Sequence, residues 1–162
     1  MRKSILSVFL FCLVSATALA ADGGKKSGNP VNGITRDALR DFAYQFFDAT
    51  NVTWKVNNGY QTAVFYLDGR TACAMYDQGG RFLMASEQVT ADELPASVKA
   101  EIGKYGEYQL ADAVKVLARP AGYAKHNDVG SYWAALRKGD DVVYLLIGED
   151  KPAKLVRKMS LN

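Results

Sequence analysis

The run from Asn51 to Leu83 constrains this chain more than any other part of it, because its turns are written into the sequence. Short segments rich in β-branched and aromatic residues alternate with turn residues: Asn57-Asn58-Gly59, then Asp68-Gly69, then Asp77-Gln78-Gly79-Gly80. Asp-Gly suits a two-residue primed turn, in which both central residues take a positive φ, and the longer Gly-containing segment suits a wider hairpin loop. The reading is an antiparallel meander with strands at Val52 to Asn57, Tyr60 to Leu67, Arg70 to Tyr76 and Arg81 to Ser86. A weaker copy follows from Ser131 to Met159, so one building block is used twice.

Each meander is preceded by a helical signal. Ile34, Ala38, Leu39, Phe42, Ala43, Phe46 and Phe47 recur at helical spacing, with Arg36, Asp37, Arg40, Asp41 and Gln45 on the other side and Thr35 placed to cap the start. Thr90-Ala91-Asp92-Glu93 then has the spacing of a capping box, and Pro95 is expected at the first helical position. The second helix should run to about Tyr105, with Leu94, Val98, Ile102 and Tyr105 on its inner face. Four further strands are expected at Tyr108 to Leu117, Ser131 to Arg137, Asp141 to Ile147 and Ala153 to Met159. Lys138-Gly139 stands where Asp68-Gly69 stood, and residues 119–130 form an extra loop in the second copy. The fold class is α+β: a tandem repeat of a helix packed on a four-stranded antiparallel sheet, with repeats at about 34–89 and 90–160.

The N-terminus carries an address. Arg2 and Lys3, an apolar run from Ile5 to Val14, and Ala18-Leu19-Ala20 make a secretory signal peptide over residues 1–20. The apolar run is too short for the roughly 20 residues a membrane-spanning helix needs, so no membrane anchor is expected after cleavage. Residues 21–33 are Gly- and Lys-rich and are read as a flexible leader. The expected location is periplasmic or secreted.

Removing the signal takes away Arg2 and Lys3 and leaves 18 basic against 17 acidic residues, a net charge of about +1. A nucleic-acid partner, which needs a clustered basic face, is not expected. One cysteine, Cys73, remains in the mature chain, so stability must come from the core without an internal disulfide. Cys73 lies in mid-strand and reads as a small buried apolar residue.

Chemistry-bearing patterns are sparse. His126 is the only histidine, in the extra loop beside Asn127 and Asp128, and a Cys73, His126, Asp128 nucleophilic set has no local signature behind it. One His and one Cys do not make a zinc site, and Gly79-Gly80 lies between strands where a phosphate cradle would precede a helix. No catalytic, cofactor-binding or metal-ligating residues are assigned, and no enzymatic activity is expected.

Asn51-Val52-Thr53-Trp54, Gly59-Tyr60, Phe65 with Asp68-Gly69, Ala74 and Tyr76-Asp77 with Gly80, and Glu93-Leu94-Pro95 together resemble the PepSY-like family, also described as beta-lactamase-inhibitor-like proteins. The resemblance runs from Ile34 to about Ser160 and is weaker in the second copy, which lacks the Trp and Asp-Gly features. It implies small secreted proteins with a helix packed on a four-stranded antiparallel sheet in tandem. It also implies binding or inhibition in place of catalysis, without a cofactor.

The register of the first meander points to a surface. A two-residue Asp68-Gly69 turn pairs Leu67 with Arg70, Phe65 with Ala72, Val64 with Cys73 and Ala63 with Ala74. One face then holds Ala63, Phe65, Leu67, Ala72, Ala74 and Tyr76. The other holds Thr62, Val64, Tyr66, Thr71, Cys73 and Met75. Pairing Tyr76 with Arg81 adds Leu83 and Ala85 to the first face, and Phe82 and Met84 to the second. Both faces are substantially apolar, so the second needs a cover: helices, the second copy, or a protein partner docking on Val64, Tyr66, Met75, Phe82 and Met84. A periplasmic structural or small-ligand-binding protein is the alternative, marked by a closed pocket between helix and sheet.

Overall fold

The computed structural model describes residues 33–121 and 128–161; the segment read as a signal peptide, most of the expected leader and His126 lie outside them. Local chemistry explains most elements. Asn58 and Gly59 have φ of 49° and 82°, and Asp68 and Gly69 of 52° and 77°, the two successive positive values that a primed hairpin turn demands. These turns join β1 (Thr50–Asn57), β2 (Tyr60–Leu67) and β3 (Arg70–Tyr76). The register of β2 with β3 pairs Leu67 with Arg70, Phe65 with Ala72, Val64 with Cys73 and Ala63 with Ala74, as the turn dictates. Asn51 has φ 53° and lies within the irregularity of β1 between Thr50 and Thr53.

The next hairpin departs from the expected register. The Asp77 N–H donates to the Arg81 carbonyl, so Tyr76 pairs with Phe82, and an irregularity restores the pairing of Met75 with Met84 in β4 (Phe82–Gln88). Asp77 holds this turn, accepting from the Arg81 backbone N–H and from its guanidinium. The turn is one residue shorter than counted from sequence, and it is paid back by a bulge at Leu83.

Helix α1 (Arg36–Gln45) is capped as expected, with the Thr35 hydroxyl accepting from the Ala38 N–H. It ends earlier than its apolar pattern suggested. Phe46 at the C-cap leaves the helical conformation (φ −126°, ψ 51°) yet stays buried, while Phe47 is 80% exposed. Ala43 is exposed too, so both leave the expected inner stripe. Helix α2 (Ala96–Gly103) begins at Pro95 as its N-cap. Thr90 and Glu93 do bond to each other, but on a turn that precedes the helix. Leu94 and Val98 are buried, with Ile102 and Tyr105 packed against the same core.

The second meander follows: β5 (Gln109–Ala118), β6 (Tyr132–Lys138), β7 (Asp141–Ile147) and β8 (Lys154–Ser160). Lys138 pairs with Asp141, which places the tight turn at Gly139-Asp140, one residue beyond the position read from sequence. All eight strands form one antiparallel sheet in chain order, because β4 pairs with β5. The halves therefore join edge to edge, and Arg70 with Glu93 (3.3 Å) adds an ion pair between β3 and the segment leading to α2.

Two cores lie on the helix side. Under α1, Phe42, Phe46, Trp54, Phe65, Tyr76 and Phe82 form a continuous aromatic cluster with centroid separations of 5.0 to 6.3 Å. Each such ring buried is worth on the order of 1.5–3 kcal/mol in transfer free energy. Under α2, Val98, Leu136, Leu145 and Ile147 are fully buried. Leu117 and Ala118, at the end of β5, pack on the first core, so the second half helps to close the first.

Gln61 locks α1 to the sheet. It is 2% exposed; its carbonyl accepts from the Thr35 N–H and hydroxyl, and its amide donates to the carbonyls of Asp77 and Gln78. The same junction requires Gly80, whose φ is +82° and where an added Cβ would lie 2.2 Å from Thr35 Oγ1 and 2.9 Å from the Ala38 nitrogen.

Candidate binding face

Strand alternation puts Val64, Tyr66, Met75 and Met84 on the side of the sheet away from the helices. Tyr66 is 47% exposed, and the other three are half-buried. Met75 and Met84 face each other directly, as do Val64 and Cys73, so four of the five residues singled out from sequence share one surface. Phe82 does not. Its pairing with Tyr76 turns it toward Phe46 and the first core, and this follows from the shorter Asp77–Arg81 turn.

Both helices pack on the opposite side: α1 buries Ala38 and Phe42 in the first core, and α2 buries Val98 in the second. The second copy adds width to the sheet without stacking on it. The Val64 face is therefore uncovered by any helix or strand among the described residues. Thr62, Cys73, Ser86 and Val116 are nevertheless buried, because small side chains sit in cross-strand register between larger ones.

The face continues across the second half, which the sequence reading did not reach. Val114 of β5, Trp133 of β6, Leu146 of β7 and Lys154 of β8 lie in one cross-strand row. Asp112, Ala135, Tyr144 and Arg157 form the next, and Arg137, Val142 and Met159 a third. Ala135, Val142 and Tyr144 make a small buried cluster backed by Met159 and Leu161. The continuous apolar runs Tyr132 to Leu136 and Val142 to Ile147, which put apolar side chains on both sides of the sheet, carried the signal for this half, once the turn between them is placed at Gly139-Asp140.

The extra loop is anchored at one end of this face. Asp128, 1% exposed, accepts two hydrogen bonds from the Arg119 guanidinium, at 2.9 Å (Nε) and 2.5 Å, and one from the Trp133 indole N–H at 3.3 Å. Burial alone would raise the Asp128 pKa, but Arg119 and Trp133 together hold it below the usual carboxylate range. Arg119 also donates to the Leu83 carbonyl of β4, at 3.4 Å. These contacts give Asp128 a structural role, and Cys73 is buried in the middle of the sheet. The nucleophilic set considered from sequence would need His126, which lies outside the described residues.

Asp112 contrasts with Asp128. It is 8% exposed, one of its carboxylate oxygens has no hydrogen-bond partner, and burial pushes its pKa up. Its nearest strand neighbour on the face is Ala135, which offers no side-chain donor.

No family model matches the sequence, and no curated protein does. Solved structures do match. A BLIP-like protein from Bacteroides fragilis superposes with a TM-score of 0.59 at 18% identity, covering 83% of this chain and 88% of that one. A DUF2874 family protein from Bacteroides ovatus gives 0.60 at 16% identity, covering 83% and 90%. A protein from Bacteroides eggerthii, provisionally named as periplasmic, gives 0.58 at 14% identity, covering 82% and 90%. At this identity the likeness speaks for architecture: two helices on one side of a single eight-stranded antiparallel sheet, in the BLIP-like fold expected from the motifs of the first meander.

Proposed function

We propose that this protein is a secreted, non-enzymatic binding module of the periplasm that engages a protein partner through the uncovered face of its sheet. The observation that carries the reading is the face itself. An antiparallel sheet with one side in water normally alternates apolar and polar residues, yet here Val64, Tyr66, Met75, Met84, Trp133 and Leu146 lie on the side without helices. Side chains of this kind, aromatic and Met above all, are those enriched at protein interfaces. The space under α1 is filled by the aromatic cluster, so a ligand pocket between helix and sheet draws no support from the first half. The signal-peptide pattern and the provisional periplasmic name of the Bacteroides eggerthii protein support the location. The BLIP-like fold supports a binding role in general, but a fold name identifies no target.

The test is capture of a stoichiometric partner from an envelope extract by the mature protein, repeated with Tyr66→Asp and Met84→Asp. Both variants should lose the partner while melting within a few degrees of the parent. A partner retained by both variants places the contact elsewhere, and variants that unfold make this face part of the core.

A further inference from the structure

Among the described residues, the charged side chains on the uncovered face that reach solvent carry one sign, the acid Asp112 being buried. Lys55 on β1, Arg137 on β6, Lys154 on β8 and Arg157 on β8 all project to the side away from the helices, as their partners Thr62, Val142, Leu146 and Tyr144 show. None of the four is in an ion pair among the described residues, and Arg137 donates only to the Gly139 carbonyl. Six cations elsewhere are matched: Arg40 with Asp37, Arg70 with Glu93, Arg81 with Asp77, Lys104 with Glu101, Lys138 with Glu107 and Lys158 with Asp141. Among the described residues, cations without an ion pair thus stand on the apolar face that no helix or strand covers.

Three of these cations are close together. Arg137 and Arg157 lie two strands apart, about 10 Å across the sheet, with Val142 and Tyr144 in the rows between them. Lys154 stands beside Leu146 in the same row as Trp133. All three cations are exposed, above a floor of buried Ala135, Val142 and Tyr144. The acid on these rows, Asp112, is buried; it lies three strands from Arg157 and diagonally across one strand pair from Arg137, and it forms no ion pair among the described residues.

We infer that the β6–β8 half of the face receives an acidic protein segment, with carboxylates that meet Arg137, Arg157 and Lys154 and apolar side chains that settle on Trp133 and Leu146. The inference rests on the binding-face reading above and adds the chemistry of the partner. Guanidinium groups recognise carboxylates with two parallel hydrogen bonds, and like charge on a partner would be repelled. A nucleic acid fits less well, because it would satisfy the cations and leave the half-buried apolar groups between them without matching surface.

The test uses peptides of about 12 residues, the size of a segment that can cross several strands. A random library displayed on phage is selected on the mature protein, and the selected peptides are made synthetically. The expected result is enrichment of Asp and Glu beside apolar residues, with affinity that weakens as salt rises. Arg137→Glu with Arg157→Glu, or Asn and Gln in place of the peptide's acids, should then cost roughly tenfold or more in affinity. Both arginines are exposed, so the reversals should leave the melting temperature unchanged. Peptides without acidic enrichment that are still lost on Trp133→Asp overturn the acidic partner and leave the binding face standing. No selected binders, or binders indifferent to both sets of substitutions, overturn both readings. Single-stranded DNA or phosphatidylglycerol vesicles that bind as tightly as the peptides, and are blocked by the same reversals, overturn a protein segment in favour of a general polyanion.

Discussion

Two buried carboxylates show how neighbours decide what one residue type does. Asp128 is held ionised by Arg119 and Trp133, whereas Asp112 has an oxygen without a partner and a pKa raised by burial. A raised carboxyl pKa means that the folded state holds the proton more tightly than the unfolded state. The protein therefore loses stability through Asp112 as pH rises from the unfolded-state value through the folded one. Asp112→Asn removes the charge and should raise the thermal midpoint by a few degrees at pH 7, an advantage that shrinks to nothing as pH falls below about 4. Calorimetry across that range checks it, and an Asn variant less stable than the parent at pH 7 would show that the carboxylate is satisfied in solution. Neither carboxylate's state was readable in advance, because Asp112 and Asp128 look alike as letters and the fold alone sets Arg119, just after β5, and Trp133, on β6, against Asp128 while giving Asp112 only Ala135 across the strand pair.

At the scale of elements, the turns written in Asn58-Gly59 and Asp68-Gly69 set the register of three strands without help from the rest of the molecule. The Asp77–Arg81 turn was less legible, since several loop lengths suit its glycines and the tertiary fit of Gly80 against Thr35 favours one. That choice sent Phe82 into the core. The end of α1 was misread for a related reason: a helical stripe continues in the sequence through Phe47, but the chain must leave the helix at Phe46 to enter β1. The base of the 119–130 loop gives the prediction at this scale. Arg119→Ala leaves Asp128 buried and uncompensated and should cost about 3–5 kcal/mol at neutral pH. Because Arg119 depresses the Asp128 pKa, the stabilisation it provides is present above the unfolded-state carboxylate pKa and fades as pH falls through the folded-state value. Urea unfolding at pH 7 and at low pH should show the larger loss at pH 7, and Arg119→Met combined with Asp128→Leu should lose less than Arg119→Ala alone.

At the scale of the whole molecule, the decisive event is the pairing of β4 with β5, which turns two meanders into one sheet. It keeps the second copy beside the first and off its face, so no helix or strand among the described residues covers the surface with Tyr66 and Met84. The outer edges are guarded. β1 has an irregularity at Thr50 to Thr53 and β8 one near Leu145, and β8 carries Lys154, Arg157 and Lys158, all features that discourage growth of the sheet by further strands. A fragment of residues 33–93 would expose β4 as an unguarded edge and lose Leu117 and Ala118 from the first core. It should unfold at a lower temperature than the parent and self-associate in sedimentation experiments, whereas a monomer as stable as the full chain would make the halves independent.

Sequence alone determined the repeated order of one helix and four strands, and the two apolar faces of the first meander, because these depend on turn residues and on periodicity within a few neighbours. Tertiary structure decided how the halves meet, which face the helices take, where Phe82 points, and that Arg137, Lys154 and Arg157 share the side away from the helices with Trp133 and Tyr66. Those outcomes depend on contacts between residues far apart in the chain, where one shorter turn or one strand pairing changes the side on which a residue stands.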